Sequence, residues 1–82
     1  MKKSYLIESI LFLSVYVDKE QSYKELVKNI SLPELTKMIV YDLFLKEFDY
    51  KNCNDYLYEA YSVVLKYSTE ISNNGYVNFI EE

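Results

Sequence analysis

Residues 54–75 read NDYLYEAYSVVLKYSTEISNNG, and their spacing predicts one long amphipathic helix. Leu57, Ala60, Val64, Tyr67 and Ile71 recur at intervals of three and four residues and form one face, joined by Tyr56 and Val63. Glu59, Ser62, Lys66, Thr69 and Glu70 lie opposite, and Tyr58, Tyr61 and Leu65 sit to one side of the core stripe. Asn54 or Asp55 supplies the N-cap, and the helix is expected to run to about Ser72. Asn73-Asn74-Gly75 then acts as a stop, because Gly75 takes the left-handed conformation that ends helices. A helix with one apolar face must bury it against something, so the rest of the chain is read for helices that pack on it.

Upstream, a helix is expected from about Leu32 to Tyr50, opened by Ser31-Leu32-Pro33-Glu34, where Pro33 fits a first turn that needs no amide donor. It carries two apolar faces, Val40, Tyr41, Phe44, Leu45 and Phe48 on one and Leu35, Ile39 and Leu43 on the other. Asp42, Lys46 and Asp49 make a charged strip between them, with Asp42 four residues before Lys46 as an ordinary solvated pair. Ser22-Tyr23-Lys24-Glu25 has the form of a capping box and predicts a short helix from Tyr23 to Ile30. The first helix, about Ser4 to Val17, has Leu6, Ile10, Leu13 and Val17 on one stripe. Ile7, Leu11 and Val15 form a second stripe, and Tyr5, Phe12 and Tyr16 a third, so this helix belongs at the centre of a bundle or under a partner. The fold class is therefore all-α: one domain over residues 1–82, a small bundle of three longer helices and one short one, with a short extended C-terminal tail, YVNFIEE.

Composition agrees. Half of the 82 residues are hydrophobic, whereas Gly and Pro occur once each, which leaves little turn chemistry for an all-β fold. All nine basic residues are Lys, and the chain has no Arg, His or Trp. Without His there is no imidazole base or metal ligand, and without Arg there is no bidentate clamp for phosphate. Cys53 has no His to activate it, and the thirteen acids are scattered over helix surfaces, so no enzyme activity and no cofactor are expected. No metal site is expected either: Lys51 and Cys53 interrupt the only acidic loop, and it lacks the glycine of a calcium loop.

The net charge of −4 is uneven. Residues 1–30 hold five lysines against four acids, and residues 31–82 hold four lysines against nine acids. Such a field disfavours nucleic acid and anionic membrane and speeds encounter with a cationic partner. A lone cysteine forms no intrachain disulfide and suggests a reducing, cytoplasmic setting. Lys2-Lys3 followed by Leu6–Val17 imitates a secretory leader, but Glu8 interrupts the apolar run, no small-x-small cleavage site follows, and the run is too short to span a bilayer.

Between Glu47 and Tyr61, four carboxylates alternate with four tyrosines, which makes this segment the expected contact surface. Tyrosine supplies large, stiff contacts at low entropic cost, and fixed carboxylates steer a basic partner. Tyr50, Tyr58 and Tyr61 are the expected anchors, with Asp49, Asp55 and Glu59 as charged contacts. AT-rich coding sequence also favours Tyr, Lys, Asn and Ile, and it accounts for tyrosines without any interface. The function expected is that of a small acidic inhibitor of a basic protein, of the type of an immunity protein or antitoxin directed at a bacterial toxin, such as a nuclease. One alternative is a non-catalytic subunit that self-associates as a homo-oligomer or docks on a larger assembly. Another is a helix-turn-helix DNA-binding regulator, weakened by a recognition helix that offers Lys37 and no Arg.

Overall fold

The computed structural model describes residues 1–80 and contains four helices among them: α1 (Lys3–Tyr16), α2 (Glu20–Asn29), α3 (Leu32–Leu45) and α4 (Asp55–Asn74). α1 and α3 each pack on the other three, while α2 and α4 do not meet. α1 and α4 run antiparallel: Tyr5 reaches Glu59, and Phe12, a turn or two later, shares a cleft with Tyr56. The tail beyond Gly75 is extended and returns to the start of α1, where Ile80 N–H donates to Met1 O at 2.9 Å and Lys2 bridges Ile80 in parallel sense. Phe79 of the tail stacks on Tyr67. The expected extension of the tail through residues 81 and 82 lies outside the described residues.

The core follows the predicted stripes of α1 and α4. Leu6, Ile10, Leu13 and Val17 are buried, facing Ala60, Val64 and Tyr67. Ser9 and Ser14 are buried on the same side, and their hydroxyls donate back to Tyr5 O and Leu11 O, so neither leaves an open polar group in the core. α3 contributes Leu35, Ile39 and Leu43, the smaller of its two apolar faces. α4 is capped as predicted: Asn54 Oδ1 accepts from Leu57 N–H at 2.9 Å, and Gly75 at φ +81° donates to Ile71 O at 2.8 Å. Ser31 caps α3 as expected, accepting from Glu34 N–H.

Two helix boundaries depart from expectation for one reason. α1 and α3 both end in a Schellman turn whose left-handed residue is not glycine. Asp18 (φ 60°) and Glu47 (φ 56°) take that position, followed by the paired bonds Lys19 N to Ser14 O and Asp18 N to Val15 O, and Phe48 N to Leu43 O and Glu47 N to Phe44 O. α3 therefore stops at Leu45 rather than Tyr50. α2 begins at Glu20, directly after the first of these turns, which puts Ser22 inside the helix instead of at its cap; Lys19 occupies the cap position without a side-chain bond. The only glycine lies at residue 75, so neither stop carried the usual sequence signal.

A non-glycine residue in the left-handed region costs about 1 kcal/mol or more. Glu47 is exposed and makes no ion pair among the described residues, so Glu47→Gly is expected to raise the unfolding free energy by roughly 0.5–1 kcal/mol. Urea denaturation of the two proteins checks it; a loss of stability would mean that Glu47 is held by contacts outweighing its backbone strain.

Candidate functional site

Asp42 is not the solvated partner of Lys46. Its side chain is only 11% exposed, and the carboxylate accepts from the hydroxyl of buried Tyr23 at 2.5 Å and from Lys19 Nζ at 3.0 Å. Lys46 turns instead to Asp18, with Nζ 3.1 Å from Oδ2. Asp42 of α3 and Lys46 at its C-cap thus pair crosswise with Lys19 and Asp18 at the α1–α2 corner, pinning that corner to the end of α3. Burial, and then the hydrogen bond and charge of Asp42, push the Tyr23 hydroxyl well above the ordinary tyrosine range.

The face of α3 richest in aromatic residues points away from the core. Tyr41 is 61% exposed and Phe44 75%, with Leu45 and Met38 beside them on the same strip. An 82-residue chain has too few helices to cover both faces of α3, and α2, largely polar, buries only Tyr23 fully. Met38 and Tyr41 border a depression of about 560 Å³ shared with Tyr23 and Leu26 of α2. At the other end, Phe44 and Leu45 share a shallow hollow with Glu47 and Phe48. Phe48 then meets Tyr61 edge-on, centroids 5.1 Å apart, and Tyr61 stacks on Tyr50 at 5.6 Å. A continuous aromatic surface therefore runs from the outer face of α3, across the corner, onto one flank of α4.

The residues expected to form the contact surface are only partly gathered there. Tyr50 and Tyr61 stand together, and Tyr58 lies one turn before Tyr61 on α4, half exposed. Asp55 is the exposed first residue of α4. Asp49 serves the corner itself: its carboxylate accepts from Asn52 Nδ2 at 2.7 Å and Lys51 N–H at 3.0 Å. Those bonds, the Asn52 one first, hold its carboxyl below the usual range. Lys51 Nζ sits 5.9 Å from the Tyr50 ring centre, so Tyr50 already has a cation from its own chain.

Glu59 is elsewhere. It lies across α4 from Tyr61, about 100° round the helix from Tyr58, and accepts from Tyr5 OH at 2.6 Å in a cleft between α1 and α4. That hydrogen bond, with lesser contributions from desolvation and the charges of Glu59 and Glu8, raises the Tyr5 hydroxyl. Tyr56, expected on the core side, is 76% exposed and lines this cleft with Phe12. Tyr56 and Tyr58 are two residues apart, roughly 200° around the helix, so they serve opposite flanks. The Tyr5, Phe12, Tyr56 group was foreshadowed only by the third stripe of the first helix. Among the described residues no three Asp, Glu or Cys side chains converge as a metal ion would require, and no helix is long and apolar enough to cross a membrane.

No protein-family model matches the chain, and no match was found among curated proteins or solved structures.

Proposed function

We propose that the protein is a small binding inhibitor, active in the cytoplasm, that neutralises a basic partner protein by covering its working surface, in the manner of an immunity protein or antitoxin facing a toxin. The observation that carries this reading is the aromatic surface through Tyr41, Phe44, Leu45, Phe48, Tyr61 and Tyr50, with Glu47, Asp49 and Asp55 at its edge. An apolar centre with a charged rim matches the anatomy of protein interfaces, in which desolvated aromatics supply residence time and rim charges supply encounter rate. Occlusion needs no catalytic group, which suits a chain without His or Arg.

The test is affinity capture from the source cell with wild-type protein and a Phe44→Ala, Tyr50→Ala variant in parallel. A basic protein retained by the first and lost from the second, with dissociation at least about tenfold faster, is the expected result. Retention by both would remove the surface from the interface.

Self-association is the second reading, favoured by Met38, Tyr41, Phe44 and Leu45 lying on one strip of α3. Two copies packed through that strip about a twofold axis would cover the same side chains. Sedimentation at micromolar concentration separates the two: a dimer abolished by Phe44→Glu supports the subunit reading, and a monomer supports the inhibitor.

A further inference from the structure

The cleft between α1 and α4 combines features that the α3 surface lacks. Tyr5, Phe12 and Tyr56 wall it with partly exposed rings, and Glu8 and Glu59 place two carboxylates beside them. Its volume is about 210 Å³, below the roughly 300 Å³ at which sites for drug-sized molecules begin. It therefore fits one side chain rather than a whole cofactor.

Aromatic faces attract cations through the ring quadrupole, and a neighbouring carboxylate adds a directed charge pair. An apolar occupant would strip water from the carboxylates without compensation. A bare divalent ion would find two carboxylates where calcium takes roughly six to eight oxygens. The chain supplies no cation of its own: none of the lining residues is basic, and neither Glu8 nor Glu59 forms an ion pair among the described residues. Tyr50, by contrast, is already attended by Lys51. The Tyr5 hydroxyl fixes one oxygen of Glu59, which orients the carboxylate before any ligand arrives.

We propose that this cleft receives a single lysine or arginine side chain of the partner protein, its cationic tip held between the rings of Tyr5, Phe12 and Tyr56 and the carboxylates of Glu8 and Glu59. The proposal rests on the protein-binding reading and adds a second contact on the opposite flank of α4 from Tyr50 and Tyr61. It gives Glu59 a role in binding that its distance from the corner cluster otherwise denies it. The bidentate reach of arginine and the apolar stem of lysine both suit a small open cleft walled by rings and carboxylates.

Titration of ¹⁵N-labelled full-length protein with N-acetyl-lysinamide and N-acetyl-argininamide tests it, with Nα,Nε-diacetyl-lysinamide as the neutral control. Saturable amide shifts centred on Tyr5, Phe12, Tyr56 and Glu59 are expected with the basic probes, at millimolar affinity, and none with the control. Glu59→Gln and Tyr56→Ala should each weaken binding about two- to fivefold. Both side chains are exposed, so both variants should fold, and Glu34→Gln, on the exposed first turn of α3 and outside the cleft, should bind as wild type. An equal response to the neutral control, or affinity unmoved by either substitution, would overturn the proposal. Shifts confined to Tyr50, Tyr61 and Phe44 would also overturn it while leaving the protein-binding reading standing, since that reading is decided by capture with the corner variant.

Discussion

Replacing Ile39 by alanine is expected to lower the unfolding free energy by about 2–5 kcal/mol, and replacing Phe44 by no more than about 0.5 kcal/mol. Ile39 is wholly buried among the core residues of α1 and α4, so truncation removes buried methyl groups and leaves a cavity that a close-packed interior only partly fills. Phe44 is the larger side chain, yet it lies largely in water already, and its removal exposes little. A chain of 82 residues has a total stability of roughly 4–12 kcal/mol, so Ile39→Ala should remove a large fraction of it. Urea denaturation followed by circular dichroism reads both: the midpoint should fall sharply for Ile39→Ala at unchanged slope and stay in place for Phe44→Ala. Comparable losses would mean that α3 is rotated and buries both of its apolar faces.

Removing the Asp42 carboxylate is the second large effect. Asp42→Ala leaves the Tyr23 hydroxyl unpaired within the fold and releases Lys19, an expected cost of about 2–3 kcal/mol. Lys46→Ala breaks only an exposed pair with Asp18 and should cost less than about 1 kcal/mol. A solvated Asp42–Lys46 pair along the helix would make both changes small and equal, so the ratio of the two losses discriminates.

The same contact shapes behaviour in alkali. The Tyr23 hydroxyl is raised in the folded protein by burial and by Asp42, whereas in the unfolded chain it titrates near about 10. Below that pH both states keep the proton, and the contribution of Tyr23 is complete. Above it the unfolded chain releases its proton first, so the unfolding free energy falls by up to about 1.4 kcal/mol per pH unit for this one group. Tyr67, raised by burial, and Tyr5, raised chiefly by its bond to Glu59, act in the same direction. Comparing unfolding at about pH 9 and pH 11 should therefore show a smaller alkaline loss in Tyr23→Phe than in wild type; an equal loss would place the titration in other tyrosines.

Local signals carried the elements well where a side chain or a glycine does the work. Asn54, Ser31 and Gly75 mark their helix ends because each acts within three or four residues of itself, and the spacing of Leu6, Ile10, Leu13 and Val17 holds because one stripe must face inward. The end of the first helix before Asp18 was legible, whereas Glu47 was invisible as a stop, since its backbone strain is offset by packing and by the paired bonds of the turn rather than by its own chemistry. The expected contact surface divided for a similar reason. Residues close in sequence lie on opposite flanks of α4, so Glu59 joins Tyr5, from the first helix, and Tyr61 joins Phe48 and Tyr50.

The amino-acid pattern by itself determined an all-α bundle of three longer helices and a shorter one, the caps of α3 and α4, and a surface rich in tyrosine and carboxylate, because propensity, periodicity and capping are properties of short segments. Tertiary structure alone decided which of the two apolar faces of α3 is buried, which lysine Asp42 meets, and which tyrosines share a surface. Those outcomes depend on how many other helices are present to cover a face and how they are oriented, and that is a property of the whole chain.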